Sequence, residues 1–126
     1  MNNGDRIRLI IVDDEQEFAD VLVKRMRRRG MEAAAAFNGE QALRLMRGNS
    51  FDLAIVDLKL EGMDGIEILR IFKMLDPGMP VLMLTGHGCE AAADLSMKNG
   101  AADYLSKPMD FDQLVTRALQ VSRREE

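Results

Sequence analysis

Five short apolar runs, each followed by a stretch with helical spacing, constrain the fold of this chain more than any other feature. The runs are Ile7 to Val12, Glu32 to Phe37, Leu53 to Val56, Pro80 to Leu84 and Asp103 to Leu105, and most lack the polar alternation of a half-exposed strand. Strands that read this way are covered on both faces, as in a parallel sheet with helices on either side. Between them Phe18, Leu22 and Met26 line one helix, Leu69, Phe72 and Leu75 another, and Phe111, Leu114, Val115, Ala118 and Leu119 the last. All are expected to face the core. A βα unit repeated five times, with right-handed crossovers, predicts a doubly wound α/β fold built on a five-stranded parallel sheet.

The punctuation agrees. Gly30, Gly48 and Gly100 fall where helices should end, and Pro77-Gly78 stops another. Asn38 with Gln41, and Asp110 with Gln113, read as N-caps with capping-box partners. The second run is the exception, because its four consecutive alanines favour helix. Only its place between Gly30 and Asn38-Gly39 makes it a strand.

At 126 residues the chain fits one domain, 1–126 with a core from about 7 to 122, and can bury a single core without staples. An apolar fraction of 47% and a charged fraction of 30% are those of an ordinary globular protein. The formal net charge of -4 argues against direct nucleic-acid binding, which would need a basic face. With the single cysteine Cys89 no internal disulfide can form. No apolar stretch approaches the roughly 18 to 20 residues of a membrane span, and Met1 to Arg8 is polar, unlike a signal peptide. A cytoplasmic location without membrane association is therefore expected. The chain ends at Glu126, just past the fifth helix, so no output domain is expected within it.

In a parallel α/β sheet, ligands sit beyond the carboxyl ends of the strands. The first strand ends in Asp13-Asp14, the third in Asp57, the fourth in Thr85, and Lys107 lies two residues past the fifth. Each alone has a plain structural explanation: an aspartate or threonine as a cap, a lysine as a solvated charge. Their joint placement on one rim does not. Three crowded carboxylates ask for a cation among them. With no cysteine at the rim and only His87 nearby, zinc or copper fits poorly, whereas Mg²⁺ takes one or two carboxylates and keeps water and phosphate oxygens as its other ligands. A metal beside a carboxylate, a hydroxyl and an ammonium suits phosphoryl transfer. Asp57 is placed as a nucleophile that forms an aspartyl phosphate, with Thr85 donating to one phosphoryl oxygen and Lys107 neutralising another.

The stretches "IIVDDE", "DLKLEGMDG" (Asp57 to Gly65), "LMLTG" (Leu82 to Gly86) and "DYLSKP" (Asp103 to Pro108) together resemble the receiver domains of bacterial two-component response regulators, over about Ile7 to Ser122. The resemblance implies a flavodoxin-like sheet of order 2-1-3-4-5. It implies Asp57 as phosphoacceptor and metal ligand, Asp14 as a direct ligand of Mg²⁺ (or Mn²⁺), Asp13 as a ligand acting largely through water, and the backbone carbonyl of Lys59 as a further metal contact. Thr85 and Lys107 match the family's phosphoryl-binding hydroxyl and ammonium, Lys107-Pro108 matches a typically cis bond, and Tyr104 stands where the family has a switch aromatic. The implied partners are a sensor histidine kinase or phosphotransfer protein and a downstream output reached through the fourth helix, fifth strand and fifth helix, with a phosphorylation-linked dimer allowed. Such a domain catalyses its own phosphorylation and dephosphorylation but is a signalling switch and not a turnover enzyme.

Several features keep a structural reading beside the functional one. Tyr104 on an edge strand also suits ordinary packing, and Gly86 to Gly88 makes a pliable loop after Thr85. Lys59 and His87 flank the site and could tune phosphate lifetime. Cys89 reads as a small residue at a helix start, and the basic run Lys24 to Gly30 as a helix C-terminus suited to the dipole. Glu61 replaces the proline usual in receivers, which puts metal affinity and phosphate lifetime in question. Two rival classes stay open: a receiver-like interaction module that works without phosphorylation, and a small aspartyl-phosphate phosphatase. The second has its nucleophile on the first strand in a D-x-D motif, where this chain has Asp13-Asp14.

Overall fold

The computed structural model describes residues 6–59, 64–86 and 90–123. Strands and helices alternate as β1 Arg8–Val12, α1 Gln16–Arg28, β2 Glu32–Ala36, α2 Gly39–Gly48, β3 Leu53–Asp57, α3 Gly65–Leu75, β4 Val81–Thr85, α4 Glu90–Lys98, β5 Asp103–Ser106 and α5 Phe111–Val121. The five strands form one sheet in the order β2-β1-β3-β4-β5, and every neighbouring pair is parallel.

Side chains of successive strand residues point to opposite faces, and both faces are buried. Leu9 and Ile11 of β1, Leu53 and Ile55 of β3, and Leu82 and Leu84 of β4 pack with Ala19, Leu22 and Met26 of α1 and with Leu114, Val115 and Ala118 of α5. The intervening residues Ile10, Val12, Ala54, Val56, Val81 and Met83 pack with Ala42 of α2 and with Ile68, Leu69 and Phe72 of α3. Helices α1 and α5 therefore cover one face, and α2 and α3 the other, where Ala92 of α4 also rests. Each fully buried aliphatic contributes about 1.5–3 kcal/mol, which is why such short strands hold.

This phase aims the site residues. Leu9 pairs with Leu53 and Ile11 with Ile55 on the α1/α5 face. One step past the last pair, Val12 with Val56, the same register brings Asp13 beside Asp57 at the carboxyl end of the sheet.

Strand β2 is formed by four alanines and Glu32 paired residue for residue with β1. Pairing on the sheet overrides their helix propensity. It stops at Ala36, one residue short of the sequence expectation, because the Phe37 amide turns to Gln41 Oε1 (2.8 Å) while Asn38 Oδ1 accepts from the Gln41 amide (2.9 Å). Asp110 caps α5 through the Gln113 amide (2.6 Å). Gly30 and Gly100 take the left-handed conformation at φ 86° and 98° that terminates α1 and α4. Gly48 does not; it is the last residue of α2, ahead of an extended Asn49. Leu75, expected in the core, is 53% exposed, at the last residue of α3. At the amino end of the sheet Arg123 donates to both oxygens of Asp76 (3.1 and 2.7 Å) and to the Phe51 carbonyl, tying the end of α5 to the α3–β4 connection.

Candidate functional site

The carboxyl end of the sheet gathers carboxylates around one ammonium. Asp13 is fully buried, and its Oδ1 accepts from the Glu15 amide (2.9 Å), which fixes the start of α1. Its Oδ2 accepts from Lys107 Nζ at 3.0 Å. Asp57, at the end of the central strand β3 and 7% exposed, receives the Lys59 amide on Oδ1 (3.2 Å) and Lys107 Nζ on Oδ2 (3.3 Å). One carboxylate oxygen each from Asp13, Asp14 and Asp57 lies within 4.8 Å of the others, Asp14 being half-buried.

The backbone holds these groups in place. The Leu58 amide continues the ladder to the Leu84 carbonyl (2.8 Å), and the Lys107 amide donates to the Thr85 carbonyl (2.7 Å) before the cis Lys107-Pro108 bond. Gly65 opens α3 with its amide on the Leu58 carbonyl (3.0 Å). A Cβ there would lie 2.4 Å from the Asp57 carbonyl oxygen, so only glycine lets α3 start this close to the strand end.

Burial raises the Asp57 carboxyl to about 6, the neighbouring Asp13 charge pushes the same way, and Lys107 with the Lys59 amide offsets part of the rise. For Lys107, burial works to lower its value, but the Asp13 hydrogen bond, the Asp57 and Asp13 charges and the Glu15 bond outweigh it and hold the ammonium firmly protonated. Asp57 is thus mainly ionised at neutral pH yet stays a basic carboxylate, which suits a nucleophile.

Thr85 is buried at the end of β4, opposite Ser106 of β5. Its Oγ1 donates to the Leu105 carbonyl at 3.4 Å and lies 3.4 Å from Ser106 Oγ. The hydroxyl is therefore engaged with β5, while Asp13, Asp14, Asp57 and Lys107 converge. Tyr104 lies opposite Met83 and is 37% exposed. Glu61, His87, Gly88 and Cys89 lie outside the described residues.

The family model of the response regulator receiver domain matches residues 9–119. The chain belongs to that family. The transcriptional regulatory protein ZraR of Klebsiella oxytoca is 39% identical over 112 residues, which are 89% of this chain and 25% of ZraR. The receiver thus spans about a quarter of that relative's length. Brucella abortus NtrX superposes with a TM-score of 0.88 at 30% identity, covering 92% of this chain and 26% of NtrX. A Burkholderia pseudomallei response regulator solved with a phosphorylated aspartic acid, a calcium ion and citrate gives 0.83 at 30% identity, covering 89% of this chain and 66% of that one.

The receiver's donor set fits a hard divalent cation. All three clustered side chains offer oxygen, and their spread of up to 4.8 Å is close to the roughly 4.2 Å between opposite oxygens around Mg²⁺. Two parts of the site escaped the sequence reading. Glu15 Oε1 reaches Lys107 Nζ at 3.1 Å, and the Phe18 ring lies beneath that ammonium at 4.4 Å. Glu15 had a signal in directly following the aspartate pair. Phe18 read only as core, since the 3.6-residue stripe that names a helix's inner face does not say which residue at its edge meets a distant lysine.

Proposed function

We propose that this receiver is a phosphorylation-dependent switch with Asp57 as its acceptor. The reading rests on one observation above the rest: the buried Asp57 carboxylate shares its rim with Asp13 and Asp14 and bonds the Lys107 ammonium at 3.3 Å. An Asp57 oxygen attacks the phosphorus of a sensor kinase's phosphohistidine, or of a small phosphodonor; the new P–O bond forms as the bond to the leaving group breaks, and the leaving group departs with its electron pair. A bound Mg²⁺ or Mn²⁺ supplies charge neutralisation for the transferring oxygens. Asp14 and an Asp57 oxygen would hold it directly, Asp13 largely through water, and the Lys59 carbonyl would complete the protein's share. Lys107, already donating toward Asp57, meets one phosphoryl oxygen.

Thr85 supplies the switch. Its hydroxyl exchanges the long bond to Leu105 for a phosphoryl oxygen, and this frees room beside β5 for the Tyr104 ring to move inward. The face of α4, β5 and α5 is reshaped and read by an output domain or protein. Moving such an equilibrium from mostly off to mostly on takes about 5 kcal/mol of differential stabilisation, within reach of several charge-assisted bonds to one phosphoryl group. ZraR is named as a transcriptional regulator, and the Burkholderia response regulator was solved with a phosphorylated aspartic acid and a calcium ion, both in keeping with this role.

Intact-mass measurement after incubation with Mg²⁺ and acetyl phosphate tests it. Wild type gains one phosphoryl group, and Asp57→Ala or a chelator abolishes the gain. No gain in wild type, with a competent receiver modified in parallel, together with no Mg²⁺-dependent beryllofluoride complex, leaves a phosphate-independent interaction module as the reading, whereas a stable beryllofluoride complex shows an acceptor whose phosphate is too short-lived to see.

A further inference from the structure

Lys107 offers one ammonium to three carboxylates: Asp13 at 3.0 Å, Glu15 at 3.1 Å and Asp57 at 3.3 Å. An ammonium has three N–H donors, so each carboxylate takes one. Two of these acceptors change partners in the switch described above. Asp13 would turn its charge toward the divalent cation, and phosphorylation makes the Asp57 oxygen the bridging oxygen of an acyl phosphate, so that Lys107 must follow the charge onto a phosphoryl oxygen. Glu15 does neither.

Its geometry matches a dedicated role. Glu15 is the residue before α1, yet its side chain makes no capping bond; Asp13 Oδ1 takes the Glu15 amide instead. The carboxylate, 65% exposed, reaches across to the start of the β5–α5 connection. On another side of the ammonium lies the Phe18 ring at 4.4 Å, itself stacked on Phe111 of α5 at 5.5 Å. Ring and carboxylate together restrict where Nζ can go.

We propose that Glu15 is a positioning residue, which keeps the Lys107 ammonium aimed at the phosphoryl site once Asp13 and Asp57 have taken their own partners. This rests on Asp57 being the phosphoacceptor. It differs in sign from simple charge repulsion, under which removing a rim carboxylate would speed reaction with an anionic donor.

The test is the phosphorylation rate in Mg²⁺ as a function of acetyl phosphate concentration for wild type, Glu15→Ala and Glu15→Gln, with Glu17→Gln as the control for lost charge on the same turn. In Glu15→Ala the saturating rate falls about fivefold, the scale of an exposed ion pair, without a rise in the half-saturating donor concentration. Glu15→Gln keeps an oxygen acceptor at the same reach and recovers at least half of the lost rate. Glu17→Gln stays within twofold of wild type, and the urea midpoints of all variants agree. A saturating rate in Glu15→Ala at or above wild type overturns the proposal, as does a Glu15→Gln no faster than Glu15→Ala. A wild type that takes up no phosphoryl group overturns the phosphoacceptor reading itself, and this inference with it.

Discussion

Asp57 is a carboxylate whose surroundings work against its charge, and that cost has a measurable pH dependence. Its value of about 6 in the folded chain, set by burial first and by Asp13 second, stands above the ordinary 3.8. A carboxyl whose folded value is raised binds its proton more tightly folded than unfolded. The stability it contributes is therefore fully present below pH 4 and is lost as pH rises through 6. The gap of about two units corresponds to about 3 kcal/mol by neutral pH. With chelator present, Asp57→Asn is expected to be more stable than wild type at pH 7 by about 2–3 kcal/mol, with the advantage vanishing near pH 4. Urea titrations of the two proteins across that range read it directly; a difference independent of pH would show that charge at Asp57 is not what the site opposes.

At the scale of elements, the join of β3 and α3 sets where the Asp57 carboxylate points. A methyl group at Gly65 would meet the Asp57 carbonyl oxygen at 2.4 Å and the Leu58 Cα and carbonyl oxygen at 2.7 Å, all backbone atoms with no flexible side chain to give way. Gly65→Ala must push apart the strand end and the helix start, at about 1–3 kcal/mol. Its phosphorylation rate is expected to fall further than its stability, because the displaced carbonyl belongs to Asp57 itself. Gly48 is the contrast: a Cβ there meets nothing within 4 Å and φ is not positive, so Gly48→Ala should be neutral or stabilising by up to about 1 kcal/mol. Equal losses in the two variants, measured by urea unfolding, would show that the close approach at Gly65 carries no weight. Strand β2 makes a related point, since its alanines become strand through pairing with β1 and not through any preference of their own.

For the whole molecule, the site couples to global stability by mass action. A divalent cation held by the folded rim alone stabilises by RT ln(1 + [L]/Kd), about 1.4 kcal/mol at ten times Kd. On the proposed ligand set the Asp57 proton would compete with the ion for the same carboxylate, so the gain from Mg²⁺ should be largest above pH 7, shrink toward pH 5, and be mostly absent in Asp57→Asn; thermal unfolding with and without chelator measures it, and a gain unaffected by the substitution would place the ion elsewhere. The five βα units and their order along the chain were legible in the sequence because strand and helix periodicities are local, and so were the helix caps at Asn38 and Asp110. The rim was legible too, as the rule for parallel sheets places strand-end residues together before any contact is known. What local pattern does not carry is register and reach. Lys107 lies 94, 92 and 50 residues from Asp13, Glu15 and Asp57, and only the packing of β1, β3 and the β5–α5 connection decides that all three meet one ammonium. The same holds for Leu75, whose helical phase promised core but which lies exposed at the last residue of α3. Sequence determined which faces are apolar and which residues end the strands, since both follow from spacing along one chain. The tertiary structure alone decided which side chains from distant segments share an oxygen, a ring or a proton, because those distances depend on how separate elements pack.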